Sequence, residues 1–364
     1  MRALNLLVAV SVCSSLWAVP SYQIFGLGNL GGAATAYAIN NNGVVVGSSF
    51  TELGDSRGFV WNGGALIELA GLPGSFQQYA NGINNAGTIV GSADGVAVQW
   101  QNGSPSNIGT GEGGAMAINN SGQVAGMSNG QAFRTVGGQV QLLGTLMGGN
   151  WASAYGINTA GEVAGYGRSA SGNMLGFVSQ NGELQSIGTL GGRSSYAMAL
   201  NDAGQVVGHA ARGNGFLEAF LYQNGTLSGL GTLGGVASYA YGINRTGQVV
   251  GYSWVTGNNE TAAFLYANGQ MQNLNDLVSP NSGWQLLAAY GINDSGQIVG
   301  TGIYGGQQMA VLLNPIASVP PVSGLQPSLL NNNVPEPDTM SLLGAGMALL
   351  AFGHCSRRRM RAQE

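Results

Sequence analysis

The sequence predicts an all-β chain: a seven-bladed β-propeller closed by its N-terminal strand, followed by a short C-terminal transmembrane helix. Three observations lead there: a phrase that recurs seven times, a strand-and-turn grammar within each recurrence, and an uncharged run near the C-terminus. The phrase is Ile39-Asn40, Ile83-Asn84, Ile118-Asn119, Ile157-Asn158, Leu200-Asn201, Ile243-Asn244 and Ile292-Asn293. Its spacings of 44, 35, 39, 43, 43 and 49 residues bracket the roughly 40 to 45 of a four-stranded blade and are too long and uneven for a tight β-helix coil.

Each recurrence reads as four strands, clearest between Ser238 and Leu274. Residues 238–244 suit a first strand and 247–253 a second, joined by the Asn244-x-x-Gly247 spacing of a type I turn. That spacing occurs in all seven copies, from Asn40/Gly43 to Asn293/Gly296. A third strand at 263–266 meets a fourth at 270–274 across Asn268-Gly269, a strong hairpin signal. The same pair stands at Asn62-Gly63, Asn102-Gly103, Asn181-Gly182 and Asn224-Gly225, with Gly137-Gly138 in the third copy. The seventh copy runs into Pro315 with no fourth strand. Residues 22–32 align with 225–235, so the N-terminal segment is expected to complete the last blade of a propeller spanning 22–316.

Composition sets the outer limits. Of 364 residues 64 are glycine, far above the usual share of about 7%, yet they keep no three-residue period and 44% of residues are hydrophobic, which excludes collagen and disorder. Lysine is absent, charged residues are 7% and the net charge is -4, so no basic stripe exists for a nucleic acid. The two cysteines, Cys13 and Cys355, fall outside the propeller, which leaves that domain without disulfide or thiolate chemistry.

Both ends read as addresses. Residues 1–18 follow the basic, apolar, small-residue order of a secretory signal, with cleavage expected after Ala18. A Pro/Ser/Asn-rich linker at 317–333 leads to a tail at 334–364. That tail holds Val334, Pro335, Glu336 and Pro337, an uncharged run from Thr339 to Ser356, and a basic cluster of Arg357, Arg358, Arg359 and Arg361. As a helix, residues 339–356 reach about 27 Å, just short of a bilayer core of about 30 Å. The order of these three parts resembles the PEP-CTERM sorting tail. The resemblance implies recognition by a membrane-embedded exosortase, transient anchoring through the C-terminal helix, and release to the cell surface or medium.

The phrases Ala-Phe-Leu-Tyr-x-Asn-Gly at 219–225 and 263–269, and Leu-Gly-Thr-Leu-Gly-Gly at 230–235, resemble the HAF family of bacterial extracellular repeats. The family's histidine should precede Ala-Phe, but those places hold Arg57, Val96, Gln131, Leu175, Glu218, Ala262 and Met309. The resemblance implies an exported location and no established activity.

Residues able to do chemistry are few. Outside the tail the only histidine is His209, and carboxylates such as Glu52, Asp55, Glu162, Asp202 and Asp294 are scattered, several at turns. No zinc, EF-hand or phosphate-loop pattern is present, so no metal or cofactor is expected. The first-strand blocks instead carry Tyr37, Tyr79, Tyr155, Tyr196, Tyr239, Tyr241 and Tyr290. Flat aromatic faces beside Asn and Gln amides suit neutral sugars, and Tyr155, Tyr196, Tyr239, Tyr241 and Tyr290 are the candidate ligand contacts. Wedge packing between blades, which needs large side chains, is the stronger reading of the same rings. The expected function is a non-enzymatic structural, adhesive or exopolysaccharide-binding component of the bacterial envelope or matrix. The alternative is a secreted glycosidase or lyase of propeller fold, which needs two carboxylates facing one pocket.

Overall fold

The computed structural model describes residues 21–180 and 182–316. The expected signal (1–18), linker (317–333), sorting motif, basic cluster and Asn181 lie outside them. Within them the chain is a β-propeller of antiparallel strands, with the first strand of each repeat innermost. The final sheet is completed as the alignment of residues 22–32 implies: Tyr22–Gly28 pairs antiparallel with Gln307–Pro315, Tyr22 opposite Pro315 and Phe25 opposite Leu312.

Two parts of the expected architecture are corrected. Seven separate blades are not formed: the strands make five four-stranded blades and one continuous seven-stranded sheet. The second and third repeats share the 15-residue strand Ser104–Ile118, which pairs with Val96–Gln101 on one side and Val124–Ser128 on the other. Its middle, Gly109-Thr-Gly-Glu-Gly-Gly114, lacks the leucines of the Leu-Gly-Thr-Leu-Gly-Gly connection. It stays extended, and Gly113 N–H donates to the Gly95 carbonyl at 2.7 Å. The second correction concerns the membrane: among the described residues no helix is long and apolar enough to cross one, and the run 339–356 lies outside them.

Turn chemistry follows the sequence closely. Gly247 takes φ +81 at the end of the Asn244 turn, and Asn268-Gly269 takes φ +53 and +79, the doubly positive pair of a type I′ hairpin. Buried side chains then fill the wedges between neighbouring sheets. In one wedge Ala34, Ala36, Val45 and Phe59 of the first repeat meet Val299, Ala310 and Leu312 of the last.

The inner strands carry a device repeated seven times. Each skips one residue in its pairing: Tyr241, for example, lies between Ala240 opposite Gly251 and Gly242 opposite Val250. The same bulge isolates Tyr37, Asn81, Met116, Tyr155, Met198 and Tyr290. A bulge re-aims its extra side chain and draws the backbones together. The small residues on either side, as in Ala240-Tyr241-Gly242, and the facing glycine permit that approach. A Cβ on Gly251 would stand 1.9 Å from the Tyr239 carbonyl oxygen, and one on Gly208 1.9 Å from that of Tyr196.

The repeats are also stitched at the axis. The recurrent asparagines are all buried. In each, Oδ1 accepts backbone N–H groups of its own turn, as Asn293 does from Ser295 and Gln297. Nδ2 donates to the carbonyl of the next repeat's asparagine in six links of 2.8–3.3 Å: 40 to 84, 84 to 119, 119 to 158, 201 to 244, 244 to 293, and 293 back to 40. Between the fourth and fifth repeats, Thr159 N–H and Oγ1 donate to Asp202 instead.

Replacing Gly251 with Ala forces a main-chain oxygen aside in a packed interior, so G251A is expected to lose more than about 3 kcal/mol in denaturant unfolding. A loss under about 1 kcal/mol would show that the bulge yields easily.

Candidate functional site

The bulged residues and the Ile-Asn phrases lie along the propeller axis and define two cavities. One, of about 190 Å³, is ringed by the asparagines and the residues that follow them, including Asn41, Asn85, Asp202, Arg245 and Asp294. The other, of about 250 Å³, is lined by Tyr37, Asn81, Met116, Tyr155, Met198, Tyr241 and Tyr290. Seven aliphatic side chains, Ile39, Ile83, Ile118, Ile157, Leu200, Ile243 and Ile292, border both and form a waist.

The tyrosine end continues outward as a collar of rings. Second-strand residues Tyr166, His209 and Tyr252 stack on first-strand Tyr155, Tyr196 and Tyr239 of the same repeats, with centroids 4.7–4.8 Å apart. Successive repeats meet edge to face, Tyr166 on Tyr196 at 5.0 Å and His209 on Tyr239 at 4.9 Å. Tyr241 joins Tyr290 and Tyr290 joins Tyr37, carrying the arc from the fourth repeat round to the first. Ring pairs at these separations and angles are favourable beyond their burial. Tyr155 and Tyr166 also share a hydroxyl hydrogen bond of 2.9 Å, and Tyr37 shares one of 3.0 Å with Ser48.

The five candidate aromatics therefore divide. Tyr155, Tyr241 and Tyr290 line the cavity, whereas Tyr196 and Tyr239 stand in the collar behind it, each covered on one face. Three collar members were absent from that candidate set: Tyr166, His209 and Tyr252. Their signal was their shared place immediately after the glycine of a Val-Ala-Gly or Val-Val-Gly run; the register sets His209 and Tyr252 opposite Tyr196 and Tyr239, and Tyr166 opposite Ser153.

Among the described residues no charged side chain lines the tyrosine cavity. Burial pushes the phenols of Tyr166 and Tyr241 well above their ordinary 10, and that of Tyr290 up to about 12. The carboxylates stand elsewhere. Asp202 and Asp294 border the amide cavity, where both take part in bonds between repeats, Asp294 accepting from Arg245 N–H and the Asn41 amide. Glu162 accepts from Asn158 Nδ2 at 2.7 Å, and Asp55 and Glu68 pair with Arg57. Among the described residues no group of three His, Cys, Asp or Glu is placed to hold a metal.

Residues 95–314 match the family model described as a protein of unknown function, DUF3466, and the chain belongs to that family. No curated protein matches it in sequence. Among solved structures, a puromycin-hydrolysing peptidase of Mycobacterium tuberculosis is 10% identical with a TM-score of 0.52, covering 78% of this chain and 51% of that one. The extracellular domain of a hybrid two-component system from B. thetaiotaomicron is 9% identical with a TM-score of 0.53, covering 82% and 40%. YCF48 bound to D1 peptide is 13% identical with a TM-score of 0.51, covering 83% and 97%. The chain thus spans about half the length of the peptidase and less of the receptor domain. Identities this low show the shared fold alone.

His209 supplies a test of the collar. Its Nδ1 is buried without a hydrogen-bond partner, and burial lowers its pKa from 6.5 to about 4. The neighbours it faces, Tyr196, Tyr239 and Tyr241, offer no charge to hold a proton. The unfolded chain therefore protonates first, and stability present above pH 6.5 falls as pH drops toward 4. Thermal melting of H209F is expected to lose less between pH 7 and pH 4.5 than the unsubstituted protein does. Equal losses would contradict the burial of a neutral imidazole.

Proposed function

We propose that this DUF3466-family chain is an exported, exosortase-sorted repeat protein. It acts without catalysis as a structural, adhesive or polysaccharide-binding component of the bacterial envelope or extracellular matrix. The observation that carries the binding role is the uncharged cavity faced by Tyr37, Tyr155, Tyr241 and Tyr290 at one end of the axis. Aromatic faces pack against the C–H surfaces of neutral sugars, and hydroxyls and amides meet their hydroxyls. The export role rests on residues 1–18 and on the order Val334 to Pro337, apolar run and arginine cluster.

A carbohydrate-active enzyme is the reading with less support. A glycosidase needs two carboxylates about 5 to 9.5 Å apart across a substrate. None lines the tyrosine cavity, and Asp202 and Asp294 at the other cavity are engaged between repeats.

The producing bacterium's purified neutral exopolysaccharide, immobilised, is expected to retain the secreted protein, and Tyr155→Ala with Tyr241→Ala to weaken retention about tenfold or more. No retention of the unsubstituted protein would refute the binding role, and equal retention of the variant would move it off this cavity. Mass spectrometry of protein released to the medium is expected to show a C-terminus shortened at the sorting tail. An intact C-terminus would refute the sorting role.

A further inference from the structure

We infer that the tyrosine-lined cavity takes the end of a neutral polysaccharide chain, seating its terminal sugar, rather than gripping the interior of the chain or letting it thread the axis. The inference rests on the polysaccharide reading above and narrows it.

The cavity is small, about 250 Å³, below the roughly 300–1,000 Å³ of pockets that enclose drug-sized ligands. Its floor is the aliphatic waist, where Ile39, Ile157 and Ile292 are buried and offer no hydrogen-bonding group. A sugar chain threading the axis would strip water from its hydroxyls there without replacement, and unpaired polar groups are costly to bury. Beyond the waist the amides of the ring offer a threading chain few partners, because six of the seven already donate from repeat to repeat. Threading the axis is therefore costly in unpaired hydroxyls, which favours a ligand that enters and leaves by the same mouth.

The walls favour one seated residue over a lateral groove. The bulged side chains project from all seven inner strands around a closed ring, so the cavity has no open side along which a chain interior can lie. Collar rings stack on the lining tyrosines, Tyr166 on Tyr155 and Tyr252 on Tyr241, which holds Tyr155 and Tyr241 in place before a ligand arrives and limits the ordering cost of binding.

The test uses the full secreted chain and the producing bacterium's neutral exopolysaccharide, partially hydrolysed to three mean lengths and titrated in solution. Seating of chain ends predicts half-saturating concentrations that coincide per mole of chain ends and diverge per gram. Tyr241→Ala is expected to weaken all three by about tenfold. Coincidence per gram overturns the inference while leaving polysaccharide binding intact. End-dependent binding that survives Tyr241→Ala places the site elsewhere and overturns it too. Absence of binding to every fraction overturns the polysaccharide reading itself, and this inference with it.

Discussion

A buried primary amide that must satisfy every one of its hydrogen-bonding groups is the constraint on which the propeller depends. Each recurrent asparagine closes its own turn through Oδ1, and all but Asn158 reach the next repeat through Nδ2, so at six of seven places local turn and global ring are settled by one side chain. Leaving such a group unpaired in the interior costs about 1–3 kcal/mol. The cheapest arrangement is therefore one in which all repeats face the axis in the same way. The last link, from Asn293 to the Asn40 carbonyl at 3.0 Å, spans 253 residues of sequence. Together with the pairing of Tyr22–Gly28 against Gln307–Pro315 it closes the ring twice, once at the axis and once nearer the rim.

The bulge links that architecture to the site. An inner strand with regular alternation would turn successive residues into the two neighbouring wedges. One skipped residue per strand instead sends a side chain into the axial cavity, and the facing glycine makes room for the kink. The residue at that place is thus released from packing a wedge and free to be Tyr, Met or Asn. Packing and binding are shared out among the tyrosines by position: Tyr196 and Tyr239 brace the collar, while Tyr155, Tyr241 and Tyr290 face the cavity.

Much of this was written in the sequence because glycine and asparagine act locally. The Asn-x-x-Gly turns, the Asn-Gly hairpins and the strand that closes the last sheet all follow from residues near one another or from a plain internal alignment. What escaped was set by competition between distant segments. The strand Ser104–Ile118 fuses two repeats because its Gly-rich middle finds partners on both sides, and nothing local distinguishes an extended linker from a turning one. The asparagine ring was visible as a recurrent phrase, but its turn role alone accounts for Asn at that place, so the bond to the next repeat had no separate mark. The collar was half legible for a similar reason. First-strand tyrosines stood out, while Tyr166 and Tyr252 gained meaning only once the register set them opposite Ser153 and Tyr239, inside the same ring of aromatics.

The most direct test of the account is the unfolding free energy of Asn293→Ala. The substitution removes the Oδ1 that accepts from two backbone N–H groups, and the Nδ2 that donates across the join of the last repeat to the first. The account predicts a cooperative transition weakened by at least about 3 kcal/mol, since several buried groups lose their partners together. A loss below about 0.5 kcal/mol, the size of an ordinary surface change, would show that strand pairing and wedge packing hold the ring without the asparagines and would contradict it.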